Sequence, residues 1–131
     1  MTQSLLLDFK SDAFGIAPGE DEATNPGIFG KSLAEWIASE LCARGLPTGE
    51  VIAEDFGWCV PVESKPHSLY VACTSIDEPG TWRVFVFAEG GLVGRLFRKD
   101  TRAEDVAHAY AVVKAALVER PDVREVAEER A

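Results

Sequence analysis

The chain has 131 residues, 47% of them hydrophobic and 27% charged, with 13 basic against 22 acidic side chains and a net charge of −9. That length and balance specify one folded domain over residues 1–131 and exclude a wholly disordered chain. The negative charge repels a phosphate backbone and argues against nucleic-acid binding as the main activity, and no run approaches the roughly 20 apolar residues of a membrane span.

Ser4–Phe9 reads as a short strand. Residues 10–27 follow as a long acidic surface loop, with three glycines, two prolines and the run Glu20, Asp21, Glu22. Asn25-Pro26 is a natural helix start, with Ser32 and its partner Glu35 as the alternative cap. Phe29, Leu33, Trp36, Ile37 and Leu41 then form one apolar helical stripe. Gly45 and Pro47 stop the helix. Val51–Ala53 and Phe56–Val62 read as strands around a Glu54-Asp55 turn, and Ser64–Pro66 as a further turn. His67–Ser75 and Thr81–Glu89, joined by Ile76–Gly80, make the clearest hairpin. Both of its strands are apolar on both faces near their centres, which calls for a core on one side and a helix or a partner on the other.

Leu92, Leu96 and Phe97 fit a short helix that Gly94 weakens. A helix capped by Asp100 or Thr101 runs to about Glu119, with Val106, Tyr110, Val113 and Leu117 on one stripe. Residues 120–131, opened by Arg120-Pro121, read as a short helix or a frayed tail. The order β-α-β-β-β-β-α specifies an α+β fold: an antiparallel sheet of about four to five strands with two main helices on one face.

The chemistry is sparse. In "EDFGWCVP", Glu54–Pro61, strand alternation turns Trp58 and Cys59 to opposite faces, and Gly57 marks a bulge or a close approach. A nucleophilic Cys59 with His67 or His108 as base needs an electropositive setting, whereas Glu54, Asp55 and Glu63 surround it. A packed strand cysteine is the expectation. Glu104 and His108 sit four apart, a spacing that can hold a metal, but on the helix face away from the core, so a solvated pair is expected. His67 reads as a turn residue. No P-loop, G-x-G-x-x-G, G-x-S-x-G or H-E-x-x-H is present, so no catalytic residue, metal or cofactor is assigned. Cys42, Cys59 and Cys73 form no C-x-x-C, and "MTQSLLLDFK" is not a signal peptide, so three free thiols in a reducing cytoplasm are expected. Arg95, Arg98, Lys99 and Arg102 form a local basic cluster, read as a solvated short helix with docking of a small anion or acidic partner as the alternative. Trp36, Trp58 and Trp82 are expected as core anchors.

These features point to a small acidic protein-binding module, of the inhibitor, immunity-type or chaperone/adaptor-like kind. It would dock on another protein, charge complementarity favouring a basic one, with Glu20, Asp21 and Glu22 in the contact. The alternative is a small-molecule binder or minor enzyme with a pocket between sheet and long helix, lined by Tyr70, Trp82, Arg83 and Tyr110. A homodimer formed through the sheet face is a third possibility.

Overall fold

The computed structural model describes residues 2–63, 68–89 and 102–130. Among them the chain forms β1 (Thr2–Gln3), β2 (Leu6–Lys10), a 3-10 turn (Glu20–Glu22), α1 (Lys31–Ala43), β3 (Ile52–Glu54), β4 (Gly57–Val62), β5 (Ser68–Ser75), β6 (Thr81–Glu89), α2 (Arg102–Val118) and β7 (Arg124–Glu129). The strands make one antiparallel sheet in the order β3-β4-β5-β6-β2-β7, with β1 also against β6. The α+β class is as expected, but the described residues form seven strands rather than four or five.

Two pieces account for the difference. The first strand is interrupted at Ser4, whose hydroxyl accepts the Val86 amide while its own amide donates to the Val86 carbonyl, so that β1 and β2 share β6 as neighbour. The second piece is β7, where a short helix or frayed tail was expected. Its six residues are all exposed, so burial does not drive it. Pairing does: β2 offers an open edge, and Leu6, Leu7 and Asp8 take Glu129, Glu128 and Ala127 as partners. Side chains then tie β7 down. The Tyr110 hydroxyl donates to Glu128 at 2.6 Å and Lys114 pairs with the same carboxylate at 2.7 Å.

Alternation sorts each strand into a core face and an open face. On β6, Trp82, Val84, Val86 and Ala88 point to the core, opposite Ser75, Cys73, Val71 and Leu69 of β5. Both helices pack there, α1 on β4 and β5, α2 on β6. Leu33, Ile37 and Leu41 of α1 and Val106, Val113 and Leu117 of α2 meet Leu7, Phe9, Val60 and Val71 in one cluster. Each fully buried side chain of this kind contributes about 1.5–3 kcal/mol.

Neither Asn25 nor Ser32 caps α1. Its N-cap residue is Gly30, which has no side chain to offer. The cap comes from Glu20, ten residues upstream. Its Oε2 accepts the amides of Gly30 at 3.0 Å and Lys31 at 3.1 Å, and its Oε1 accepts the Ala17 amide at 2.9 Å. The long loop is anchored elsewhere too. Phe14 is buried against Phe9, Trp36 and Trp82, and the Arg120 guanidinium lies over the rings of Phe14 and Trp36 at 4.8 and 4.6 Å.

Candidate functional site

The face of the sheet opposite the helices carries the most distinctive surface. Its residues follow from the register: Phe85 and Phe87 on β6, Tyr70 and Ala72 on β5, Cys59 on β4, Ile52 on β3. Tyr70 and Phe87 are cross-strand partners whose rings stack 5.3 Å apart at 23°. Phe85 leans on Phe87 at 6.1 Å. Phe56 comes from the two-residue turn between β3 and β4 and folds back over the sheet, its ring 6.4 Å from Phe85 and 6.3 Å from Phe87. Cys59 and Ala72 lie in this cluster and are small, which leaves a hollow beneath the rings.

The hollow is a cleft of about 390 Å³, lined by these aromatics with Gln3, Ile52 and Cys59, and by two carboxylates, Glu54 and Glu89. Phe56 and Ile52 stay 44% and 38% exposed, whereas Cys59 is buried. The Cys59 thiol is pushed up to about 12, first by burial and then by the charges of Glu54 and Glu89. The cysteine is therefore a neutral, packed thiol at neutral pH, and both carboxylates project their field onto it.

Beside the cleft the same face carries a closed ion cluster. Arg83 donates from Nε to Asp8 Oδ1 at 2.8 Å and from Nη2 to Asp8 Oδ2 at 2.9 Å and Glu129 Oε1 at 2.8 Å. The Arg83 hydrogen bond holds the Asp8 carboxyl below its ordinary range against the opposing effect of burial.

The residues singled out from sequence are distributed as follows. Glu20 is buried as the α1 cap, with 7% of its surface exposed. Asp21 accepts the Gly27 amide at 2.9 Å, and Glu22 is exposed. The three acids therefore do not face one way. Of the pocket set, Tyr70 lines the cleft. Trp82 lies in the core and donates to the Ser11 carbonyl at 3.2 Å, Arg83 is held by Asp8, and Tyr110 lies on α2, on the other side of the sheet. The four do not converge. Glu104 and His108 are exposed, and Trp58 and Cys59 point to opposite faces as alternation requires. Trp58 and Trp82 are core residues and Trp36 is half-buried. His67, the Ser64–Pro66 turn, the short helix around Leu92–Phe97, the Asp100 or Thr101 cap, and Arg95, Arg98 and Lys99 of the basic cluster lie outside the described residues. Arg102 opens α2.

Phe56, Phe85, Phe87, Glu54 and Glu89 were not singled out from sequence. The signal was in "TWRVFVFAE": residues 83, 85, 87 and 89 share one face, and the two described helices both pack on the other side.

Comparison with known protein families, with curated proteins and with solved structures finds no match. Among the described residues no helix is long and apolar enough to cross a membrane, and no three His, Cys, Asp or Glu side chains are grouped to hold a metal ion.

Proposed function

We propose that the chain is a protein-binding module, of the inhibitor, immunity-type or chaperone/adaptor-like kind, that docks on another protein through the open face of its sheet. One observation carries this reading: among the described residues, the aromatic cleft of Phe56, Tyr70, Phe85 and Phe87 lies on a sheet face that neither α1 nor α2 covers. Half-buried aromatic clusters with one exposed ring, here Phe56, supply anchors in protein interfaces, where a few ring contacts dominate binding and polar groups form the rim. Glu54 and Glu89 form such a rim.

The small-molecule reading draws support from the size of the cleft, which falls within the range of ligand pockets. It would place the ligand on the open face rather than between sheet and α2.

The test is capture from the native source's lysate at low and high salt, with wild type and Phe56→Asp compared and the mass of each measured by light scattering. A stoichiometric protein held by wild type and lost with F56D supports the docking reading. Equal capture by both overturns it. A wild-type dimer that F56D dissolves assigns the face to self-association. Capture of nothing, with a thermal shift by an apolar compound, assigns it to a small molecule.

A further inference from the structure

Resting on the docking reading above, we infer that the cleft receives a basic side chain, an arginine or a lysine, projecting from an apolar stretch of the protein partner.

The argument begins with where charge on this face is already satisfied. Asp8 and Glu129 share Arg83, and Lys10 is held by Glu78 and Glu125. Glu54 and Glu89 have no ion pair among the described residues, and both line the aromatic cleft. The register puts them at opposite ends of it: Glu54 pairs with Gly57 at the start of β4, and Glu89 with Ser68 at the start of β5. Both carboxylates raise the Cys59 thiol, so the floor between them sits in negative potential. Cys59 stays protonated and adds no third charge.

Four rings surround that floor. The face of an aromatic ring carries negative quadrupole density and attracts a cation placed over it. An arginine or lysine meets every requirement of the cleft. Its alkyl stem suits the apolar walls, its head suits the ring faces, and its charge answers the two carboxylates. A neutral apolar side chain would fill the volume but desolvate Glu54 and Glu89 with nothing in exchange. The net charge of −9 on the chain adds long-range attraction for a basic partner.

The experiment is an NMR titration of the whole protein at low salt with three capped peptides, acetyl-Leu-Arg-Leu-amide, acetyl-Leu-Lys-Leu-amide and acetyl-Leu-citrulline-Leu-amide. Citrulline keeps the shape of arginine and removes its charge. The arginine and lysine peptides are expected to shift the ring signals of Tyr70, Phe85 and Phe87. The citrulline peptide is expected to bind about tenfold more weakly. The double variant Glu54→Gln/Glu89→Gln, its fold checked by its own spectrum, is expected to remove most of that difference. Equal binding of the citrulline and arginine peptides at the rings overturns the basic side chain and leaves the apolar docking reading standing. A double variant that keeps the full preference also overturns it. Failure of all three peptides to move the rings overturns it as well, and the docking reading then stands or falls on capture by F56D.

Discussion

Gly30 and Gly57 close on the same backbone carbonyl, that of Cys73. A Cβ added to Gly30 would lie 2.6 Å from this oxygen, and one added to Gly57 would lie 2.4 Å from it. Both glycines have φ near 151°, a conformation that L side chains rarely adopt. The first brings the start of α1 against β5, and the second brings the β3–β4 hairpin, and with it Phe56, over the open face. The two sides of the sheet thus depend on one small volume in β5.

Alanine at either position is therefore expected to be costly. Gly30→Ala and Gly57→Ala should each destabilise by about 3 kcal/mol, from backbone strain and from displacement of a strand that cannot yield. Gly45→Ala is the control, because Gly45 also has positive φ but nothing within 4 Å of its added Cβ. It should cost about 1 kcal/mol. Denaturant midpoints of the three variants test the ranking, and equal losses would contradict it.

The buried Glu20 carboxylate makes a second ranking. Glu20→Ala leaves the amides of Ala17, Gly30 and Lys31 without their acceptor and should cost about 1–2 kcal/mol. Glu20→Gln retains an amide oxygen as acceptor and should recover part of that. Asp21→Ala removes one exposed contact and should change stability by less than about 0.5 kcal/mol. Thermal unfolding of the three variants decides it. D21A, which leaves the cap intact, also shows whether the acidic run binds a partner.

Asp8 supplies a pH dependence of defined sign. Its pKa is held below the ordinary 3.8, chiefly by Arg83. A carboxyl with a depressed folded-state pKa adds stability that is fully present above its unfolded value and is lost as pH falls through the folded one. Asp8→Asn should therefore be less stable than wild type by a constant margin from neutral pH down to about pH 5, and the margin should close below about pH 4. Asp122, held low by the Ser11 hydroxyl and Arg120, and Glu128, held low by Lys114 and Tyr110, shift the same way and add to the acid sensitivity of the wild type. Urea titrations across that range measure it. A margin that widened with acid would refute the assignment.

The three thiols should separate kinetically. Cys42 is exposed, whereas Cys59 and Cys73 are buried. Burial raises both buried thiols, Cys59 to about 12 and Cys73 well above its ordinary value. At pH 7.5 a thiol reagent should therefore modify one cysteine rapidly, and Cys42→Ser should abolish that phase. The other two should react only at the rate of unfolding. A fast phase persisting in C42S would show Cys59 to be accessible.

What was legible in the sequence depended on local signals. The β5–β6 hairpin could be read because β-forming runs flank a turn of Asp77, Glu78, Pro79 and Gly80. The long helix could be read because Val106, Tyr110, Val113 and Leu117 keep one stripe, all of them buried. The opposite orientation of Trp58 and Cys59 followed from alternation alone. β7 could not be read, because Arg124–Glu129 has the composition of a solvated tail and becomes a strand only through the open edge of β2. The α1 cap could not be read either, because Glu20 acts across ten residues of loop and the local candidates Asn25 and Ser32 looked sufficient. The aromatic cleft lay between these cases. Its β6 residues were visible as a second apolar face, but Phe56 joins them only once the β3–β4 turn folds over the sheet.

The position of β2 has a consequence for synthesis. Residues 6–10 are synthesised well before their partners, β6, more than 70 positions later, and β7, later still. The helix-covered meander of β3, β4 and β5 can assemble while the N-terminal segment is still unpaired, and β7 has no edge to join until β2 is seated. The last steps of folding therefore close the longest loops in the molecule, and the rate at which the protein matures is set by its most distant contacts rather than by its helices.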